Sequence, residues 1–552
     1  MADKNIIDGI EYESEPHPDY LIDGKPVYYA QNVPASIRMN GDTSERNVDE
    51  AKKLDNLLPL ERLEKGPDAW NLWVMFHAER WLRRVVTKEA TYLSWKPLDD
   101  VEPKYQDIDF GWGQTKDENG RYLITEYDFH GMVFPVEANF INARFSKGGL
   151  FSKAEFVGTG RFDRALFEGP YFASFMGTKF RRWLWLCNTE FTCQTNFTGA
   201  LFQRWVLVES AKFHDRVSFR GAVFRWVADF DNTEFFKTAH FDDTVFFYSA
   251  SWNNIVAHSN VDFQRSQFLL RMSMHSLGPS KTTFANSRFD GYVNFDQCWF
   301  GKEKGTPLPV SVDTADGEFG GYENWSAELQ SEYVETAITH ESITIPDFRG
   351  SRFHNAPNLS YVHITFPAHE ALPKTIGAIA GGTIQRLSST DESAASKLRK
   401  LGELAHQGHH HLAEKRFFRA ELLSRRGHET RSWREVAMIN AFELFSKCGL
   451  SFWRPLGWLL GLVLLSSLFY GLQISWPAGE SGPFELASYS FANSLPLLGY
   501  ISDSYDVSVN VLFGGVDKVP PWVRVWAFFQ NLVSAILIFF ALLAIRNYFK
   551  LG

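Results

Sequence analysis

Residues 128–167 read DFHGMVFPVEANFINARFSKGGLFSKAEFVGTGRFDRALF, with Phe at 129, 134, 140, 145, 151, 156, 162 and 167. The steps alternate five and six. The rhythm slips by two residues in FEGPYFASFMGTKF (167–180), where Gly169 and Pro170 mark a loop, then resumes at Phe180 and runs to Phe268. Four columns spaced by 22 residues emerge: Phe180, Phe202, Phe224, Phe246, Phe268; Leu186, Val208, Phe230, Trp252; Phe191, Phe213, Phe235, Ala257; and Phe197, Phe219, Phe241, Phe263. A helix of period 3.6 cannot keep such steps on one face, and a strand of period 2 cannot keep the five-steps without a corner. A coil with four short sides can, each apolar residue pointing inward from one side and successive coils stacking at strand spacing of about 4.8 Å. Phe is accordingly over-used, 49 of 552 residues.

The residue two before each inward ring is often small: Ala138, Ala143, Ala154, Ala165, Thr178, Thr189, Ala200, Ala211, Ala222, Thr233 and Thr244 among others. Rings that already fill a narrow axis at crystal-like density leave room there only for a small side chain. This small-x-Phe-x-x pattern, with a six-residue step at every second unit, resembles the pentapeptide-repeat family in its Phe-centred eleven-residue variant. The resemblance implies a mainly β fold, a right-handed quadrilateral β-solenoid.

The pattern organises the chain. It occupies 121–300, ending in FANSRFDGYVNFDQCWF (284–300), and returns as a last coil at 343–366 with IPDFRGSRFHNAPNLSYVHI (345–364). Between them 301–342, rich in Gly, Pro and acids, reads as a surface excursion. Solenoid ends need caps. Within the N-terminal region 1–120, Gly66-Pro67-Asp68 followed by Trp70, Val74, His77, Trp81 and Val85 predicts a capping helix over 66–88. A helical connector is expected over 390–450, broken near Gly408. Its His406 and His410 are weak metal candidates, because they would share a helical face but have no acidic or thiol third ligand nearby; a solvated polar stretch accounts for them as well.

The last part, 451–552, is of another kind. GWLLGLVLLSSLFYGLQISW (457–476) and VWAFFQNLVSAILIFFALLAI (525–545) each reach the ~20 apolar residues needed to cross a bilayer. Helical caps and two membrane spans thus complete the expected architecture. Lys447 and Arg454 before the first span, and Arg546 and Lys550 after the second, put both termini in the cytoplasm by the positive-inside rule. The expected location is a bacterial inner (plasma) membrane.

Between the spans, FELASYSFANSLPLLGY (484–500) is apolar and helix-like, too short to cross yet long enough to re-enter, with the re-entrant segment placed at 484–503. The order span, half-helix, Gly-Tyr, acidic residue, span resembles the pore domain of two-transmembrane cation channels. That resemblance makes Ser494, Leu497, Leu498, Gly499, Tyr500 and Asp503 the pore and filter candidates, with Asp506 and Asp517 at an acidic mouth. The filter Thr and the second filter Gly of potassium channels are missing, which speaks against potassium selectivity. An amphipathic loop lying on the outer leaflet is the competing reading.

Chemistry is sparse elsewhere. No phosphate-binding loop, nucleophile elbow, zinc-protease helix or paired-cysteine site appears, so an enzyme is not expected and no cofactor is implied. Cys187, Cys193, Cys298 and Cys448 read as reduced thiols. Arg182-Trp183 and Arg204-Trp205 lie one 22-residue coil apart, with Arg225-Trp226 one residue out of phase. Exposed Trp and Arg are residue types of binding hot spots, which makes this corner a candidate strip for a protein partner. The alternative is that the N-terminal segment or the 301–342 excursion folds over it. Net charge is only −9, and 121–300 holds 17 acidic against 19 basic residues, a balance that disfavours both nucleic-acid binding and mimicry of a duplex. The expected partners are the lipid bilayer, further copies of the chain (a tetramer if a pore, otherwise a dimer) and an unidentified protein.

Overall fold

A computed structural model describes strand segments within 6–31, then 49–76, 82–86, 91–97, 116–269, 282–301, 345–364, 392–473, 482–495 and 503–549, with a few positions inside these ranges excepted and parts of 308–331 besides. The chain divides into two compact units. One comprises 1–368 with 403–410, and the other 369–402 with 411–552.

The first unit is a parallel β-solenoid whose four sheets hold seven, nine, seven and nine strands, about seven coils. Strands of mostly two residues pair in register one coil apart, Leu201↔Val223 and Phe202↔Phe224 for instance. The two-residue slip at Gly169 is absorbed at a corner: Phe156 pairs with Phe180, a coil of 24. Tyr171 and Phe172 are exposed there.

The rings form the axis. Phe129, Phe151, Phe175, Phe197, Phe219, Phe241, Phe263 and Phe295 make one continuous stack with centroids between 4.3 and 5.1 Å apart. Neighbouring columns meet edge to face, as Phe230 does with Phe219 and Phe241 at 5.4 Å. Parallel offset rings along the axis and T-shaped contacts across it are the arrangements the ring quadrupole favours, each about 0.5–1.5 kcal/mol beyond area burial. In two of the four columns a change of ring size is offset at the small position. Where the ring column carries Ala257, the position two before it carries Ile255, and Ala228 precedes Phe230 whereas Val206 precedes Val208; all are buried. Thr at the small position is tolerated because its hydroxyl finds a carbonyl of the coil before: Thr233 Oγ1 donates to Val208 O at 2.8 Å and Thr244 Oγ1 to Phe219 O at 2.9 Å.

Every second corner contains a left-handed residue at an eleven-residue interval, Asn188, Gly199, Ser210, Gly221 and Asn232 among them. Asn and Gly bear that conformation at least cost. Gly158 serves a different need, since a Cβ there would sit 2.1 Å from the Val136 carbonyl carbon of the preceding coil.

The cap is observed, with one correction. The helix Pro67–Phe76 (α1) seals the first coil: Trp70 Nε1 donates to Val133 O at 2.8 Å, Asn71 Nδ2 to Gly131 O at 3.0 Å, and the Trp70 ring packs on Phe134 at 5.9 Å. The predicted helix to residue 88 does not persist. Leu82–Val86 is a strand of a five-stranded antiparallel sheet with Tyr28–Gln31 and Thr91–Pro97, and residues 77–81 lie outside the described residues. Val85 and Val86 prefer a strand, and Tyr29 and Tyr28, 56 and 58 residues away, pair with them. Trp325 and Leu329 of the excursion pack against Val223, Val245, Phe247 and Leu269.

The second unit is helical: Ala394–Gln407 (α2), whose last residues fall in the first unit, His411–Ser424 (α3), Trp433–Ser446 (α4), Trp453–Gly471 (α5), Gly482–Asn493 (α6), Asp503–Phe513 (α7) and Pro521–Phe549 (α8). Helices α5 and α8 are long and apolar enough to cross a membrane, and less than a third of each apolar stretch is buried. Leu460, Leu464, Leu468, Phe528, Leu532, Phe539 and Leu542 are all exposed. Core helices of a water-soluble domain bury such residues, whereas here they stay exposed on the single chain.

Candidate functional site

Two places gather the residues that the sequence singles out. The first lies among α5, α6 and α8. Gln530, in the first half of α8, is fully buried and central to a polar network. Its Nε2 donates to Ser494 Oγ and to Ser490 O, both at 2.7 Å, while Tyr470 Oη donates to its Oε1 at 2.7 Å. Ser490 Oγ in turn donates to Val463 O of α5 at 2.8 Å. Trp526 Nε1 donates to Ser466 Oγ at 3.1 Å, and Trp522 Nε1 to Gln473 Oε1 at 3.0 Å.

These bonds set levels along the two long helices. Trp522 with Gln473, Trp526 with Ser466 and Gln530 with Ser490 and Val463 form successive rungs. Gln530 is nine residues into α8, about 14 Å along it at 1.5 Å per residue. Val463 is the middle stretch of α5, the eleventh of its 19 residues. The C-terminal end of α6 is therefore level with the middle of α5 and with a point about a third of the way along α8. Two serines of the short helix α6 and Tyr470 near the end of α5 thus meet on one amide of α8.

Of the predicted pore residues, Ser494 is buried in this network, donating to Ser490 O at 3.0 Å as well as accepting from Gln530. Leu497, Leu498, Gly499 and Tyr500 lie outside the described residues. Asp503 begins α7, and Asp506 and Asp517 are exposed. Helix α7 departs from the expected order, in which the chain passes from the acidic residue straight to the second span. The β-branched positions Val507, Val509 and Val511 disguise it in the sequence. It forms because Val509 and Leu512 pack with Leu486, Tyr489, Val519 and Val523, while Ser508 Oγ donates to Glu485 Oε2 at 2.7 Å. Gln530, Tyr470 and Ser490 were not among the sequence candidates. The available signal was the pair of adjacent amides Gln530 and Asn531 in an otherwise apolar span, a functional pointer in its own right.

The second place is the solenoid corner between two sheets. Trp183 stacks on Trp205 at 6.0 Å and on Trp185 at 5.8 Å, and the Arg161 guanidinium lies 4.5 Å from the Trp185 ring centroid. Trp183 keeps 43% of its surface exposed, whereas Trp205 and Trp226 are half-buried. The one-residue offset puts Trp226 above Arg204, where it stacks on Tyr248 at 5.1 Å. Arg204 is exposed, and Arg182 and Arg225 are half-buried. The corner is thus two adjacent aromatic pairs flanked by arginines.

His406 and His410 do not share a helical face. Helix α2 ends at Gln407, His409 is left-handed, and His410 lies past the break with Nδ1 3.3 Å from Ser360 Oγ. The four cysteines are free thiols, and burial pushes Cys187 and Cys193 up to about 11. No family model, curated protein or solved structure matches the chain.

Proposed function

We propose that the protein is a non-catalytic, membrane-anchored repeat protein of a bacterial inner membrane, both termini cytoplasmic, whose C-terminal helices assemble into a cation-conducting pore controlled by the solenoid. The observation that carries this reading is the half-helix α6, tied through Ser490 to Val463 in the middle of α5 and through Ser490 and Ser494 to Gln530, about a third of the way along α8. A hairpin that only anchors a domain has no need to hold a short helix at that depth. Irregular chain following such a helix is tolerated within a membrane where protein or a watery path surrounds it. Three buried polar atoms here, Asn493 Oδ1, Asn531 Nδ2 and Ser534 Oγ, have no hydrogen-bond partner among the described residues, which favours an interior reached by water. Asp503, Asp506 and Asp517 would concentrate cations at the outer mouth.

The test is ion flux by purified full-length protein in phosphatidylethanolamine–phosphatidylglycerol vesicles. Cation flux above protein-free vesicles, lowered by Asp503→Asn, is expected from a four-fold particle. Absence of flux ends the pore reading. The exposed Trp183–Trp205 pair favours a second reading, a membrane-tethered scaffold that grips a protein partner without conducting. That reading expects monomers or dimers in detergent, and photo-crosslinks from position 183 to one discrete partner.

A further inference from the structure

A cluster on another face of the solenoid takes no part in either reading. His240, Asp262 and Asn294 stand in register on three successive coils, and Asp242 follows His240 by two residues. Asp242 is only 1% exposed. Its Oδ2 is held by the Arg220 guanidinium. Its Oδ1 is buried with no hydrogen-bond partner among the described residues, and His240 Nδ1 stands 3.6 Å away, beyond hydrogen-bond length. Asp262 is fixed from the other side, its Oδ1 accepting from Gln264 N at 2.9 Å and from Asn294 Nδ2 at 3.1 Å. One ligand atom from each of His240, Asp242 and Asp262 lies within 4.8 Å of the other two.

We propose that His240, Asp242 and Asp262 bind a first-row divalent cation of the zinc class. One imidazole and two carboxylates are a ligand set that zinc accepts at about 2.0–2.2 Å, with neighbouring ligand atoms then about 3.4 Å apart. The His240–Asp242 pair is already near that separation, and Asp262 has to approach by up to about 1.4 Å. A buried carboxylate oxygen without a donor is costly in a protein interior, and a cation supplies the missing partner. Arg220 remains on the other oxygen. The His240 side chain is 40% exposed, so the remaining coordination positions face solvent and take water. In the sequence, the only sign was that His240 and Asp262 are separated by one 22-residue coil.

The experiment is titration of chelator-stripped full-length protein with Zn²⁺ alone, read by calorimetry, with Co²⁺ absorption as a report on geometry. One equivalent is expected to bind, and binding should weaken at least tenfold in His240→Asn and in Asp262→Asn. These substitutions suit the ladder, because Asn196 and Asn294 already occupy the same column. A variant with His409, His410 and His411 all changed to Ala should bind as the parent does. No stoichiometric binding by the parent overturns the proposal. So does unchanged affinity in both ladder variants, or loss of binding in the triple variant.

Discussion

In the solenoid, Phe219 and its neighbours are sealed in the axis while Arg, Asp and His ladder the outside. In the helical unit the arrangement is inverted, with Phe528, Leu532 and Phe539 facing outward while Gln530, Ser490 and Tyr470 are closed in. On the membrane-anchored reading proposed above, the difference follows from what surrounds each unit. Water drives apolar rings inward and can solvate every corner of a coil. A bilayer gives apolar side chains no reason to hide, so packing and internal hydrogen bonds hold helices together instead. The number of aromatic residues therefore tells little about either region until their period is read.

The contrast breaks most readily at the axis. Phe219→Ala removes a ring stacked on Phe197 at 4.8 Å and Phe241 at 5.0 Å. Denaturant unfolding of the detergent-solubilised chain should show a loss of about 3–5 kcal/mol. A loss under 1 kcal/mol would mean that the rings do not hold the coils together. Next comes Gly158→Ala, where backbone rather than a pliable side chain stands in the way of the new Cβ. Overpacking of about 1–3 kcal/mol is expected, visible as lowered thermal stability of the β-sheet circular dichroism signal.

In the other unit, Gln530→Leu tests whether the polar interior holds the half-helix. Hydrogen bonds within membrane helices are individually modest, so stability should fall by only about 1–2 kcal/mol. Protease cleavage between residues 474 and 502 should nevertheless rise clearly. Unchanged cleavage would make the network incidental to the position of α6.

The smallest effect is electrostatic. Burial opposes ionisation of Glu443, but the bidentate Arg419 pair, at 2.5 and 2.8 Å, outweighs it and holds the carboxyl below its usual range. Glu443 therefore stays charged to lower pH in the folded chain than in the unfolded one. Its contribution is complete at neutral pH and is lost as pH falls from the ordinary glutamate range through the depressed folded value. Hydrogen exchange at the α3–α4 pair should rise over that window in the parent and stay flat in Glu443→Gln.

How much could be read in advance differs between the same regions. The coils were legible because inward position recurs every five or six residues, so Phe180 announces Phe202 and Phe224 without knowledge of any distant partner. The two long apolar helices were legible from composition. The strand at Leu82–Val86 was not, since it depends on Tyr28–Gln31 and Thr91–Pro97. Helix α7 was not, since Val507, Val509 and Val511 argue locally against it. The candidate site was half legible. Ser494 and the aromatic corner stood out, but Gln530 and Tyr470 are 60 residues apart and meet only when α5 and α8 pack.

The sequence alone determined the squared coil, its ring-filled axis and the presence of two apolar helices, because each rests on a period or a composition that repeats along the chain. Tertiary structure alone decided which polar groups face one another: Gln530 against Ser490 and Ser494, and Asp242 against His240. Such pairings depend on the register between coils and the level between helices, and those are set by packing energies summed over many residues rather than by any local signal.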